Sequence, residues 1–206
     1  MNFFKNKYSC FIFLIILSSL LLKTQAKSQP QFLIGIKFMG LAFHPKKSSH
    51  PQLYKNRLDN NGHFVITKGI AVTFDYNITN ELNLRLSQAF LFGDCANQNA
   101  GMTQLGVNAI YPIIDDKHLL SACFGPMLFY RKNWNGLPGY VDENLFKHTK
   151  NYKTQYKFVW YGVHGDYNFA INNREYLSIS VLPGIPELIA IAPGIIYKSK
   201  KVENKL

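Results

Sequence analysis

Histidine, cysteine and aspartate side chains are the groups in this sequence that could carry out acid–base or nucleophilic chemistry. His44 and His50 lie in a segment rich in lysine and serine, and Asp94 and Cys95 are adjacent in a second polar segment. A thiol becomes a strong nucleophile when a base or a positive neighbour favours the thiolate. Each residue also has a structural alternative, because a histidine in such a segment is commonly solvated and an aspartate after a glycine often stabilises a turn.

Cys95 could instead form a disulfide with Cys123, since an oxidising compartment favours such bonds. Cys123 precedes Arg131 by eight residues along a predicted strand. At ~3.3 Å per residue, this separation places Cys123 far from the strand end near Cys95. A disulfide requires Cα atoms within about 7 Å of each other, so the spacing argues against the bond.

The other histidines indicate no metal site. His118, His148 and His164 do not stand in a metal-ligand spacing, and His164 with Asp166 on an inward strand face fits a polar interior network. The sequence contains no glycine-rich phosphate loop and no paired-cysteine motif. We therefore expect neither a metal nor a cofactor.

The first 26 residues resemble a secretory signal peptide. Lys5 and Lys7 precede an apolar run of 12 residues at 11–22, and small residues lead to a cleavage site after Ala26. The run is too short for a spanning helix, which needs roughly 20 residues. We expect a signal peptide at 1–26, a barrel at 27–197 and a basic tail at 198–206.

The predicted mature chain is basic. Without the three lysines of the first 26 residues, 20 basic and 12 acidic residues remain, a net charge of +8. Such a surface suits the phosphates of lipid head groups. Nucleic acid would also suit the charge, but a secreted chain with apolar outward faces makes nucleic acid a poor partner.

Alternation of apolar and polar residues predicts eight strands, at about 32–43, 64–76, 82–93, 103–111, 119–130, 156–169, 175–182 and 187–197. The clearest run is 63–77, where one face carries apolar residues broken only by Lys68 and the other face is mostly small or polar. A barrel in lipid turns its apolar face outward and keeps the polar face inside. The pattern therefore predicts an all-β fold, an eight-stranded antiparallel transmembrane β-barrel.

The connections predict the orientation of the barrel. Segments 77–81, 112–118 and 170–174 are short, whereas 44–63, 93–102 and 131–155 are long. Outer-membrane barrels place short turns in the periplasm and long loops outside. A soluble lipocalin-like barrel would need its apolar faces inward, and the many inward Asp, Asn, Gln and Ser candidates argue against it.

Four short segments carry a family resemblance. Two of them follow each other along the chain, Tyr111-Pro-Ile-Ile-Asp-Asp-Lys-His-Leu-Leu and Phe129-Tyr-Arg-Lys-Asn-Trp-Asn-Gly-Leu-Pro138. The other two are Phe92-Gly-Asp-Cys-Ala-Asn97 and Val181-Leu-Pro-Gly184. Together they resemble the lipid A palmitoyltransferase family (PagP-like outer-membrane acyltransferases). The most distinctive part is the Arg-x-Asn-Trp-Asn-x-x-Pro loop.

The resemblance implies an outer-membrane enzyme that moves a palmitoyl chain from a phospholipid to lipid A, with its site facing the outer surface. It implies that His44, Asp94 and Cys95 are the catalytic residues, with Cys95 at the position of the family's serine. Gly106 matches the glycine that floors the family's acyl pocket, and Asn133 and Trp134 lie in the distinctive loop. The implied partners are phospholipid, lipid A and the outer membrane, and we expect a monomer.

The predicted interior bears on two competing functions. Small inward residues leave room in the outer half for an acyl chain, and Pro126 and Pro193 each remove a ladder hydrogen bond where a lipid tail could enter sideways. Alternatively, the glycines only ease barrel curvature. A non-enzymatic structural or adhesion barrel would have the same strands, but side chains would fill its interior and its loop residues would not converge.

Overall fold

The computed structural model describes residues 31–45, 51–93, 96, 98–141, 144–148, 153–184 and 188–199. The predicted signal peptide lies outside the described residues, as does most of the predicted basic tail. Of the candidate site residues, His50, Asp94 and Cys95 also lie outside them.

Eight long strands and one short strand form the secondary structure of the described residues. They are β1 Phe32–Phe43, β2 Phe64–Asn77, β3 Leu82–Gly93, β4 Ala100–Pro112, β5 His118–Lys132, β6 Lys147–His148, β7 Thr154–Ala170, β8 Glu175–Gly184 and β9 Leu188–Lys198. Pro51–Leu53 forms a 3-10 turn. No helix in this part of the chain is long and apolar enough to cross a membrane.

Antiparallel pairing closes the eight long strands into a barrel. Sequence neighbours pair with each other, β5 pairs with β7, and β1 pairs with β9. The two-residue β6 pairs with the start of β7 as an additional strand at the rim. The predicted eight-stranded antiparallel barrel is confirmed, and every predicted bound of a long strand lies within three residues of the observed one.

The outer surface of the barrel is apolar and its interior is mostly polar. Side chains alternate between the two along each strand, as in β1, where Ile34, Ile36 and Phe38 are exposed while Lys37 and Met39 are buried. The other strands expose Phe74, Leu84, Leu105, Phe124, Val163, Leu177 and Ile195 in the same way. This is the inverse of a soluble barrel and the arrangement expected in lipid.

A bulge in β7 overturns one predicted orientation. The sequence predicts Val159 on the outer surface, but Val159 packs against the buried interior cluster. Two residues of β7, Trp160 and Tyr161, lie opposite the single residue Pro126 of β5. Because proline has no N–H to donate, the ladder is interrupted at this point, and the alternation of β7 shifts by one residue.

The second proline also coincides with an irregular pairing. In the pairing of β1 with β9, Lys37 lies opposite Gly194 and Leu41 lies opposite Ile191, so the register shifts by one residue within this stretch. The β9 side of the stretch contains Pro193. Both predicted weak seams therefore occur at register shifts of the barrel wall. Gly40 lies on the β1 side of the second seam, with open space around it.

Loop lengths differ between the two ends of the barrel. Short hydrogen-bonded turns join β2 to β3, β4 to β5 and β7 to β8, for example where Thr79 accepts hydrogen bonds from the N–H groups of Glu81 and Leu82. The connections at the other end include 44–63 (outer loop 1) and 133–153 (outer loop 3). The rule for outer-membrane barrels predicts that the short turns face the periplasm and the long loops face outward, and the two ends are named accordingly.

Candidate functional site

The outer half of the barrel encloses an apolar cavity of about 80 Å³. Its wall is built from inward side chains of six strands, namely Met39, Ala89, Leu91, Met102, Phe129, Leu182 and Ala190. Most of these residues are buried and form one hydrophobic cluster. Small residues at positions 89 and 190 create the space, because larger side chains there would fill the lumen.

Residues of outer loops 1 and 3 cover this cavity. Tyr54 and Trp134 are both buried and pack in one cluster with Val65 and Ala96. Trp134 also meets Tyr140 edge to face, with ring centroids 5.6 Å apart. The distinctive Asn-Trp-Asn loop therefore folds back over the mouth of the barrel, and Trp134 lines the cavity.

Arg131 lies at the cavity wall between aromatic rings. Its guanidinium carbon is 3.8 Å from the centre of the Trp134 ring and 4.0 Å from that of Phe146. Its Nε donates to the side-chain oxygen of Gln155 (2.8 Å), and its Nη2 donates to the hydroxyl of Tyr140 (2.9 Å). Cation–π contacts of a desolvated guanidinium are worth about 2 kcal/mol, so Arg131 ties outer loop 3 to the barrel.

His44 lies at the opposite side of the cavity mouth and is only 4 % exposed. Its ring stacks on Tyr54 with centroids 5.1 Å apart, and its backbone N–H donates to the carbonyl of His63 at 2.7 Å. Burial lowers the pKa of the His44 imidazole below its ordinary value, and the nearby His63 lowers it further. A neutral imidazole at the mouth of an apolar cavity can accept a proton.

Asp94 and Cys95 lie outside the described residues, so the predicted grouping with His44 stays a prediction. The next residue, Ala96, is buried in the cluster that contains Tyr54 and Trp134. Ala96 therefore packs in the layer of loop residues that covers the cavity, and Tyr54 of this layer stacks on His44. We call this layer the roof. Cys123, by contrast, is a buried free thiol, so no disulfide involves it. In the strand register it lies opposite His164 of β7.

Gly106 does not line the apolar cavity. It pairs with Arg85 of β3, below the inward Met102 and Gln104. A Cβ atom at this position would lie 2.6 Å from the backbone oxygen of Phe124 and 2.8 Å from the sulfur of Cys123. The structure therefore gives Gly106 a role in the close approach of β4 and β5, and Met102 reaches the cavity instead.

Asn133 shapes the turn of its loop. Its side-chain oxygen accepts a hydrogen bond from the backbone N–H of Asn135 at 2.9 Å. The Asn135 side-chain oxygen in turn accepts one from Gln155 at 3.2 Å. These bonds hold Trp134 over the cavity, so in this structure Asn133 positions the loop while Trp134 forms the cavity wall.

A network of charged residues fills the lumen below the apolar cavity. Arg85 binds Asp75 through two hydrogen bonds and also binds Asp166, and Lys37 binds Asp166 at 2.8 Å. Ser121 and Ser180 donate to Asp166, and His164 joins the network through Arg85 and Gln104. The predicted inward network around His164 and Asp166 is confirmed. The sequence analysis did not identify Lys37, Asp75 and Arg85 as members of this network, although their positions on the inward faces of β1, β2 and β3 could have indicated them.

A second cavity of about 310 Å³ lies on the periplasmic side of this network. Amide and hydroxyl groups line it, including Asn77, Asn108, Ser121 and Asn168. Both side-chain amide atoms of Asn108 are buried and lack a protein partner. The cavity has room for water, which can satisfy such groups. Among the described residues, no cluster of His, Cys, Asp and Glu could hold a metal ion.

Comparison with known proteins gives structural similarity only. No protein-family model matches the chain, and no curated protein sequence matches it. Similar solved structures include the attachment invasion locus protein Ail of Yersinia pestis, with 11% identity, a TM-score of 0.48 and coverage of 84% of this chain and 100% of that one. The N-terminal β-barrel domain of Pseudomonas aeruginosa OprF has 6% identity, a TM-score of 0.49 and coverage of 84% and 98%. The resemblance to the lipid A palmitoyltransferases stays a prediction.

The closed sheet, apolar exterior and charged interior define the class of this protein. A soluble protein with this many exposed leucine, isoleucine, valine and phenylalanine side chains around its whole girth would aggregate. In a bilayer the same surface is matched to the lipid tails, and closure leaves no unpaired strand edge. The chain is a small transmembrane β-barrel of the outer-membrane type.

Proposed function

We propose that this outer-membrane barrel takes an acyl chain of a phospholipid into its outer apolar cavity and transfers that chain to lipid A. The observation that supports the proposal is the apolar cavity itself, which lies above a charged network and has His44 at its mouth. Each methylene moved from water into such a cavity contributes about 0.8 kcal/mol. The motifs around Asp94, Cys95 and Trp134 add the family resemblance.

The size of the cavity limits what it can hold. At about 80 Å³ it is smaller than the ~150 Å³ cavity that accommodates benzene in another protein. It therefore has room for a few methylenes, and a longer stretch of chain requires Met39, Met102 or Trp134 to move. Methionine side chains adapt readily to such changes, because they are unbranched and flexible.

The proposed chemistry is an exchange of esters. A lipid A hydroxyl attacks the acyl carbonyl of the phospholipid, its proton passes to the neutral imidazole of His44, and the lysophospholipid leaves with a proton as its ester bond breaks. Cys95 acts either as an intermediate nucleophile, forming a thioester, or as a hydrogen-bonding group at the carbonyl. Arg131, with its guanidinium at the cavity wall, is placed to stabilise negative charge on the carbonyl oxygen.

A second candidate function is a non-enzymatic structural or adhesion barrel. The observation that favours it is the filled lumen, because the charged network blocks the barrel below a small outer cavity. In this case His44 and Trp134 only anchor the outer loops, and the surface of those loops carries the function.

Mass spectrometry of lipid A separates the two candidates. Cells that express the protein should gain a palmitoylated lipid A species, and cells that express His44→Ala or Cys95→Ala should lose it. Cys95→Ser should retain measurable transfer, since a hydroxyl can occupy the same hydrogen-bonding position. His118→Ala, at the periplasmic end, is the matched control and should transfer normally. Identical lipid A with and without the folded protein would reject acyl transfer and leave the structural barrel.

A further inference from the structure

A row of asparagines crosses three neighbouring strands in the periplasmic half of the barrel. In the strand register, Asn77 of β2 lies opposite Asn83 of β3, and Asn83 lies opposite Asn108 of β4. The next inward pair of β2 and β3 is Asp75 with Arg85, so the row lies directly on the periplasmic side of the charged network. Asn77 and Asn108 line the second cavity, which we call the periplasmic cavity.

Polar atoms around the periplasmic cavity lack hydrogen-bond partners in the described part of the chain. Asn83 and Asn108 are fully buried, and both the oxygen and the nitrogen of each side-chain amide are unpartnered. Across the lumen, Asn168 of β7 pairs with Ser178 of β8, and the side-chain oxygens of both are also buried and unpartnered. Native proteins leave few such groups, because burying them without a partner is unfavourable. The grouping therefore indicates a polar occupant.

Apolar side chains contribute the other part of the cavity wall. Four of them are aliphatic and one is aromatic, namely Leu33, Ile110, Leu119, Ile196 and Tyr176. Water in the cavity would satisfy the asparagines but would leave these apolar side chains hydrated, which is unfavourable. A ligand that combines hydroxyl or amide groups with apolar C–H faces matches both parts of the wall.

The size and access of the cavity suit a small solute. Its volume of about 310 Å³ falls within the range of small-molecule pockets, about 300–1,000 Å³, whereas one buried water needs only about 10–15 Å³. Asn80, Glu81 and Asp116 line the cavity and are exposed residues of the short turns, so the cavity opens at the periplasmic end. A solute from that side reaches it without crossing the charged network.

The charges around the cavity favour a neutral ligand. At the inner end, Arg85 is paired with Asp75 through two hydrogen bonds, so each charge is compensated within the protein. At the mouth, the carboxylates of Glu81 and Asp116 outnumber the ammonium of Lys198. A cation would meet the guanidinium at the inner end, and an anion would meet the two carboxylates at the mouth.

We propose that the periplasmic cavity binds a neutral sugar of about one pyranose ring. A side-chain amide both donates and accepts hydrogen bonds, as a hydroxyl group does, so Asn108 and Asn168 bond the sugar hydroxyls in either direction. The C–H face of the ring packs against the aliphatic side chains of Leu119 and Ile196. The inference needs only the barrel and this cavity, and it does not rest on acyl transfer.

The test is an NMR titration of the full-length folded protein in a zwitterionic detergent that has no sugar head group. The probes are glucose, N-acetylglucosamine and the anionic analogue glucuronate, and the signals followed are those of the asparagine side-chain amides. At least one of the two neutral sugars should shift the signals of Asn108 and Asn168 saturably. Glucuronate should bind about tenfold more weakly or not at all, because of the carboxylates at the mouth. Asn108→Leu, followed at Asn168, should weaken binding of the neutral sugar by about tenfold, since the sugar loses a donor and an acceptor.

Stability measurements separate binding from a structural role. Asn108→Leu replaces two unpartnered buried atoms with apolar ones, so this variant should unfold at the wild-type urea concentration or above it. Ser87→Ala is the matched control, because it removes a buried unpartnered hydroxyl that does not line the cavity, and it should bind within about twofold of the wild type.

Heat-modifiable gel mobility establishes that each variant is folded. If Asn108→Leu does not fold, Asn168→Leu, followed at Asn108, should weaken binding severalfold. Three results would each overturn the proposal. They are the absence of a saturable shift with either neutral sugar, which would mean that the cavity holds water only, equal loss of binding in Ser87→Ala, and equal binding of glucuronate.

Discussion

The guanidinium of Arg85 holds both carboxylate oxygens of Asp75 inside the barrel, with Nε–Oδ1 and Nη2–Oδ2 distances of 2.6 and 2.7 Å. Both side chains are 2 % exposed. A bidentate contact of this kind is directional as well as strong, and it links the neighbouring strands β2 and β3, in which Asp75 and Arg85 lie opposite each other. With Lys37 and Asp166 the network contains two positive and two negative groups, so its formal charge is balanced.

Removing Arg85 should destabilise the barrel strongly. Arg85→Met keeps much of the side-chain volume but leaves Asp75 and Asp166 with less compensating charge, and an uncompensated buried charge costs about 3–5 kcal/mol. The measurement is urea-induced unfolding of the protein in lipid vesicles, followed by tryptophan fluorescence. Arg174→Met, in an exposed periplasmic turn, is the control and should unfold with the wild type. A wild-type midpoint for Arg85→Met would contradict the role of the network.

Depth in the membrane should decide the effect of an outward charge. Val72 lies near the middle of β2 and Ile34 near the periplasmic end of β1, and both point outward. Val72→Arg should destabilise folding by about 2–4 kcal/mol, whereas Ile34→Arg should cost about 0–1 kcal/mol because its charge reaches the interface. The measurement is the yield of folded protein in lipid vesicles of defined bilayer thickness. Equal effects at both positions would mean that this surface does not face lipid.

The close contact at Gly106 should make this position intolerant of any side chain. A Cβ atom would meet the backbone oxygen of Phe124 at 2.6 Å, so Gly106→Ala forces β4 and β5 apart. We expect a loss of about 1–3 kcal/mol in unfolding free energy. Gly40→Ala is the matched control within a strand, because no atom lies within 4 Å of its added Cβ. If Gly106→Ala were as stable as Gly40→Ala, the strand contact at Gly106 would be wrong.

The sequence was sufficient to predict the barrel because a period of two is a local signal. Each outward run from Ile34 to Tyr197 repeats the same alternation, and turn residues separate the runs. The sequence pattern predicts the wrong face for Val159, because a bulge depends on the partner strand. The ladder interruption arises at Pro126, more than 30 residues away in sequence, so the local pattern of β7 does not contain it.

Less of the candidate site could be predicted. Trp134 and His44 line one cavity, whereas the predicted grouping of His44 with Asp94 and Cys95 stays a prediction. The position of Gly106 relative to that cavity depends on barrel register, and a match in motif spacing does not determine register. The sequence shows Arg131 only as part of a motif, because its position between the rings of Trp134 and Phe146 requires outer loop 3 to fold back over the strands.

The buried histidine at the cavity mouth should make the outer roof sensitive to acid. Because burial lowers the pKa of His44, the unfolded roof binds a proton more readily than the folded one as the pH falls below about 6.5. Stability therefore decreases on acidification within that window, by up to about 1.4 kcal/mol per pH unit, and is unaffected by His44 above it.

Trp134 can report this change, since it lies in the roof that covers the cavity. In a Trp160→Phe background its fluorescence should show a lower urea midpoint at pH 5.0 than at pH 7.5. His44→Gln, which stays neutral, should reduce this pH dependence, whereas His118→Gln at the periplasmic end should retain it. The difference between the wild type and His44→Gln isolates the contribution of His44. An unchanged pH dependence in His44→Gln would show that His44 is not held neutral by burial in the roof.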